Sequence, residues 1–124
     1  MKQLICCIGL VTALCLPVCA ADIAGTWKFS VDLETHEHGD PTFVLKQNNN
    51  KLCGTYDGPF GHEEVTGVVT ADKAHLEVIS PGPGGSVKLT YEARIESPTK
   101  MTGTMTRNIN GESTPGKWTA TKTK

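Results

Sequence analysis

Beyond residue 24 the chain alternates apolar and polar residues with period two, and no stretch carries the i, i+3, i+4, i+7 spacing of an amphipathic helix. Successive side chains of a strand point to opposite faces, so each alternating run has one apolar and one polar side. The clearest run is Val87, Leu89, Tyr91, Ala93 and Ile95, interleaved with Lys88, Thr90, Glu92, Arg94 and Glu96. Equivalent runs lie at 26–33, 42–46, 52–56, 65–69, 75–79, 101–106 and 117–121, which makes eight predicted strands. Turn-forming residues separate them, including Asn48-Asn49-Asn50, Ala71-Asp72-Lys73, Ser97-Pro98-Thr99 and Asn110-Gly111. None of these connectors is long enough for a crossover helix, so neighbouring strands are expected to pair antiparallel.

Glycine recurs two residues before a large side chain: Gly25/Trp27, Gly54/Tyr56, Gly67/Val69, Gly103/Met105 and Gly116/Trp118. Gly weakens a flat strand but relieves crowding where a sheet coils sharply. The expected fold is therefore all-β, an eight-stranded antiparallel up-and-down barrel whose closure leaves no unpaired edge. A β-sandwich of the same strands is the alternative.

The first twenty residues read differently. Lys2 precedes an apolar run from Leu4 to Leu16, Pro17 breaks it, and Val18-Cys19-Ala20 forms a small-residue cleavage pattern before Ala21. This predicts a cleaved signal peptide at 1–20 and a single domain at 21–124 that is secreted or periplasmic. The run is short for a membrane span, which needs about 20 apolar residues, so no stable membrane insertion is expected after cleavage. Of the five cysteines, Cys6, Cys7, Cys15 and Cys19 would leave with the signal. Cys53 would remain, without an intrachain partner, as a small core residue, with an exposed thiol or an intermolecular link as the alternatives.

Gly25-Thr26-Trp27 on the first strand, with Lys122 and Lys124 at the end of the last, resembles the lipocalin–avidin (calycin) pattern. Leu52-Cys53-Gly54-Thr55-Tyr56 is also similar to avidin-like sequences. The chain resembles, too, small exported bacterial β-proteins that repeat Gly-Thr plus an aromatic. The calycin resemblance implies that Trp27 packs across one barrel end with a terminal basic residue, Lys122, beside it. That gives Gly25, Trp27 and Lys122 structural roles. No biotin site is implied.

An eight-stranded barrel is either filled by side chains or holds one small molecule. Phe29, Phe43, Tyr56, Tyr91 and Trp118 are the large inward candidates for touching a small hydrophobic ligand. The richest polar segment is Glu34-Thr35-His36-Glu37-His38-Gly39-Asp40. If extended, it would aim His36 and His38 to one side, where they could share Zn²⁺ or Cu²⁺ with Asp40. Strand parity puts the loops at 34–41, 57–63, 80–86 and 108–113 on one rim, so His62 is a further candidate ligand. Residues 21–80 carry ten acids and four bases, and residues 81–124 carry three and seven. That asymmetry fits mutual surface complementarity, with a partner-binding face as the alternative, and the near-neutral total implies no nucleic-acid partner. No nucleophile elbow, phosphate loop or metalloprotease motif is present. The function read from sequence is thus an exported, monomeric, non-enzymatic barrel, with an apolar ligand in its mouth. A metal-binding envelope protein and a protein-interaction or inhibitor module are the alternatives.

Overall fold

A computed structural model describes residues 21–59, 61–82 and 85–124. The expected signal segment at 1–20, Phe60 and the Pro83-Gly84 part of the 80–86 loop lie outside the described residues. Among the described residues nine strands form one sheet: β1 (Gly25–Leu33), β2 (His38–Gly39), β3 (Thr42–Asn48), β4 (Lys51–Gly58), β5 (Gly61–Thr70), β6 (Lys73–Gly82), β7 (Gly85–Ser97), β8 (Lys100–Ile109) and β9 (Glu112–Lys122). Consecutive long strands pair antiparallel, and β1 pairs with β9 from Trp27↔Lys122 to Leu33↔Gly116. That pairing closes the sheet into a barrel of eight long strands and excludes the sandwich. The two-residue β2 is the addition. It prolongs the β3 side of β1, with Asp32↔His38 and Val31↔Gly39 in register, before Asp40 and Pro41 interrupt the ladder.

The glycines act by close approach. A Cβ on Gly54 would lie 1.8 Å from the Val44 carbonyl oxygen, and one on Gly103 would lie 1.8 Å from that of Glu92. At Gly67 the His75 carbonyl oxygen would be 2.1 Å away. In each case the neighbouring strand's backbone occupies the space of the missing side chain, which lets the wall coil tightly. Asn110 and Gly111 have φ of 53° and 88°, the left-handed pair that a two-residue hairpin demands.

The inward parity carries the core: Trp27, Phe29, Phe43, Leu45, Tyr56, Leu76, Leu89, Tyr91, Met101 and Trp118 are all buried. Val44, Val68 and Ile79 face outward and are exposed. Cys53 is buried, as expected of a small core residue. It lies between outward-facing Lys46 and Thr66 in register, yet it is buried and disulfide-bonded. No other cysteine falls among the described residues. The expectation of no intrachain disulfide concerns the chain after cleavage at residue 20, with the four early cysteines removed.

Candidate functional site

The two barrel ends are built differently. At the end where β1 begins, residues 21–24 cross beneath the wall. The Trp27 indole Nε1–H donates to the Ile23 carbonyl at 3.0 Å, and both residues are fully buried. Gln47 fastens the crossing segment: its Oε1 accepts from the Ile23 N–H at 2.8 Å, and its Nε2 donates to the Ala21 carbonyl at 2.8 Å. Lys122 stands opposite Trp27, and its Cε lies 2.5 Å from where a Gly25 Cβ would be. Trp27, Gly25 and Lys122 thus occupy the closed end.

Above that plug the aromatic rings fill the barrel. Phe29 stacks on Trp118 at 4.5 Å between centroids and tilts against Phe43 at 4.2 Å. Tyr56 and Tyr91 meet Phe43 edge-on at 5.3 and 5.2 Å. The Trp118 indole N–H donates to the Thr104 carbonyl at 2.8 Å, so its ring is held at both edges.

The opposite end opens into a cavity of about 310 Å³. Val31, Leu33, Leu89 and Met105 supply much of its apolar lining, and Tyr56, Tyr91 and Arg107 supply polar atoms. Of the five inward aromatics singled out from the sequence, Tyr56 and Tyr91 line this cavity. Phe29, Phe43 and Trp118 are not in its lining and pack on one another below. Burial, reinforced by the neighbouring Tyr56, pushes the Tyr91 phenol far above its ordinary value, so it remains a neutral hydroxyl.

Segment 34–41 forms one side of the mouth. Its backbone is pinned: Leu33 N–H donates to the Glu37 carbonyl at 2.9 Å, Glu34 N–H to Pro115 at 3.0 Å, and Phe29 N–H to Pro41 at 2.9 Å. Glu37 Oε1 accepts from Arg107 Nη1 at 2.7 Å and from the Thr35 hydroxyl at 2.9 Å. The Arg107 bond, then the Thr35 bond, hold the Glu37 carboxyl below the usual carboxylate range. Arg107 was missed by the sequence reading, which ended its strand at Thr106. Continuing the inward count Met101, Gly103, Met105 by one step reaches Arg107, and that step was the available signal.

The extended geometry expected of His36 and His38 does not form. His36 sits in a turn with φ 72° and its N–H donates to the Leu33 carbonyl at 2.8 Å, whereas His38 lies in β2. The His38 ring contacts Asp32 through Nδ1 at 2.7 Å and Asp40 through Nε2 at 2.9 Å. Donating from both nitrogens requires the imidazolium, and these two bonds raise the His38 pKa. A metal ligand must instead be neutral with a free nitrogen. His62 shares the rim by topology, but its side chain lines an outer hollow of about 590 Å³ with Glu63, Glu64 and Glu77. Its nearest carboxylate is Asp57, at 4.0 Å. Among the described residues no group of three or more His, Cys, Asp or Glu is placed to hold a metal ion.

No protein-family model and no curated protein matches the chain. Solved structures do. The barrel EF1p2_mFAP2b bound to DFHBI superposes with a TM-score of 0.67 at 13% identity, covering 82% of this chain and 94% of that one. A redesigned β-barrel gives 0.64 at 15% identity, covering 82% and 92%. The redesigned β-barrel mFAP0 bound to DFHBI gives 0.59 at 18% identity, covering 81% and 98%. At these identities the likeness is one of fold, and the chain is similar to these barrels in being a closed, eight-stranded antiparallel barrel.

Proposed function

We propose that this protein is an exported, monomeric, non-enzymatic module of the calycin type that holds a small, mainly apolar molecule in the mouth of its barrel. One observation carries the reading: the barrel interior is filled at one end and open at the other, where a cavity of about 310 Å³ is lined largely by apolar side chains. That volume lies at the small end of the range for ligand sites, roughly 300–1,000 Å³. The polar groups there are two phenols, Tyr56 and Tyr91, the Arg107 guanidinium, the Glu37 carboxylate that pairs with it, and His38. Two of the similar barrels hold DFHBI, which supports a barrel of this size as a small-molecule container.

Titration with Prodan, a compact neutral dye whose emission shifts in apolar surroundings, tests this. Saturable binding is expected, weakened at least tenfold by Leu33→Trp, which fills the rim. Absence of saturable binding, or equal binding by the variant, would contradict a mouth site. Export is tested by the mass of the protein recovered outside the cytoplasm. Cleavage before Ala21 leaves Cys53 as the one cysteine, so the mature protein would show no intrachain disulfide.

A further inference from the structure

We infer that the molecule held in the mouth carries a carboxylate, bound by the free edge of the Arg107 guanidinium. The inference rests on the mouth being the binding site and specifies what that site selects.

Arg107 occupies the inward parity of β8, the same as Met101 and Met105, and pairs in register with Leu89. It is a permanent cation set into an apolar wall, with its side chain only 15% exposed. Withdrawing a guanidinium from water is costly unless its donors are met. Glu37 meets one of them, at Nη1, from a rim position where its own side chain is 57% exposed. The Nε–H is buried and has no partner; among the described residues it is the one buried side-chain nitrogen or oxygen in that condition.

The geometry of the fork makes this informative. The Nε–H and the adjacent Nη2–H form one edge of the planar guanidinium, and a carboxylate matches that edge with two parallel hydrogen bonds. Glu37 bonds Nη1 and takes neither of those two hydrogens. A neutral apolar ligand would seal the cavity over the unmet donor and deepen its cost. An alcohol would supply one acceptor without countering the charge. An acid supplies both acceptors and the charge, while its apolar part lies along Leu89, Met105 and Leu33. Tyr91 adds a neutral phenol to the same lining and no competing negative charge.

Octanoate and octanol share an apolar chain and differ in the head group. Each is titrated against Prodan bound to the full-length protein. Octanoate is expected to displace the dye at roughly one-tenth the concentration octanol needs. Arg107→Met should abolish that preference and leave octanol within about twofold of its original value. Glu37→Gln, which removes the neighbouring negative charge, should tighten octanoate a few-fold, and it keeps the inference testable if Arg107→Met folds poorly. Equal displacement by octanoate and octanol in the unsubstituted protein, or a preference that survives Arg107→Met, overturns the carboxylate while leaving the mouth site standing. Failure of Prodan to bind at all overturns the mouth site, and the inference with it.

Discussion

The two ends of this barrel are made from the same alternating strands, and they meet the problem of a hollow interior in opposite ways. At the closed end, residues 21–24 pass under the wall and Ile23 and Trp27 leave no exposed surface. At the mouth, segment 34–41 reaches over, and its side-chain link to the far wall is one ion pair between Glu37 and Arg107. Apolar burial and a satisfied indole secure one end. A half-exposed carboxylate and a guanidinium with an unmet donor mark the other. Filling a barrel is thus a local outcome, decided level by level along its axis.

The largest effect should come from the wall both ends share. Gly54→Ala would place a methyl on the Val44 carbonyl, forcing two paired strands apart, and a loss above about 4 kcal/mol is expected. Gly111→Ala has open space around it and loses only the ease of a positive φ, about 1 kcal/mol. Urea denaturation of the two variants compares them. A mild Gly54→Ala would mean that the wall coils less tightly at the β3–β4 pairing.

Next comes the contrast between fill and mouth. Phe29→Ala removes a ring packed on Trp118 and Phe43, with an expected loss of about 3–5 kcal/mol. Leu33→Ala, at the partly buried rim beside an existing cavity, should lose about 1 kcal/mol. Similar losses at the two positions would erase the distinction between a packed level and an open one. Arg107→Met should keep stability within about 1 kcal/mol of the starting protein, because it trades a poorly satisfied cation for an apolar side chain of similar reach. A loss of several kcal/mol there would make the Glu37–Arg107 pair a structural clasp.

The smallest effect concerns pH. Each half of the outer wall carries an imidazole between two carboxylates: His38 with Asp32 and Asp40, and His75 with Glu77 at 2.9 Å and Glu92 at 2.6 Å. The Glu77 bond is the main cause raising the His75 pKa above 6.5. A raised folded-state pKa gives stability that is fully present below 6.5 and lost as pH rises through the folded value. Glu77, lowered from 4.5 chiefly by His75, gives stability that is present above 4.5 and lost as pH falls. The cluster therefore stabilises most between the two. His75→Gln should flatten the decline from pH 6 to 8 by about 0.5 kcal/mol or less, since solvent screens these half-exposed groups. A decline of unchanged slope would place the titrating group elsewhere.

The strands, their antiparallel order and the shared rim of the 34–41 and 57–63 loops were legible because period-two alternation and connector length determine them directly. The in-strand glycines gave closure as well. Three features were not legible, each for a physical reason. Which inward residues fill and which line depends on strand stagger, so Phe43 and Tyr56, opposite each other in register, end in different roles. The Glu37–Arg107 pair joins residues 70 positions apart, beyond any local spacing rule. The turn at His36 and the break at Asp40 and Pro41 replaced an extended segment, and His38 became a partner of two aspartates.

Side-chain methyl NMR of the full-length protein titrated with octanol tests the division of the interior most directly. If the barrel is filled at one end and open at the other, the methyls of Val31, Leu33, Leu89 and Met105 should shift in a saturable manner. Those of Ile23, Val69, Leu76 and Ala74, buried outside the mouth lining, should stay in place. Shifts spread evenly over both sets, or none at all, would contradict a barrel with one packed end and one receptive mouth.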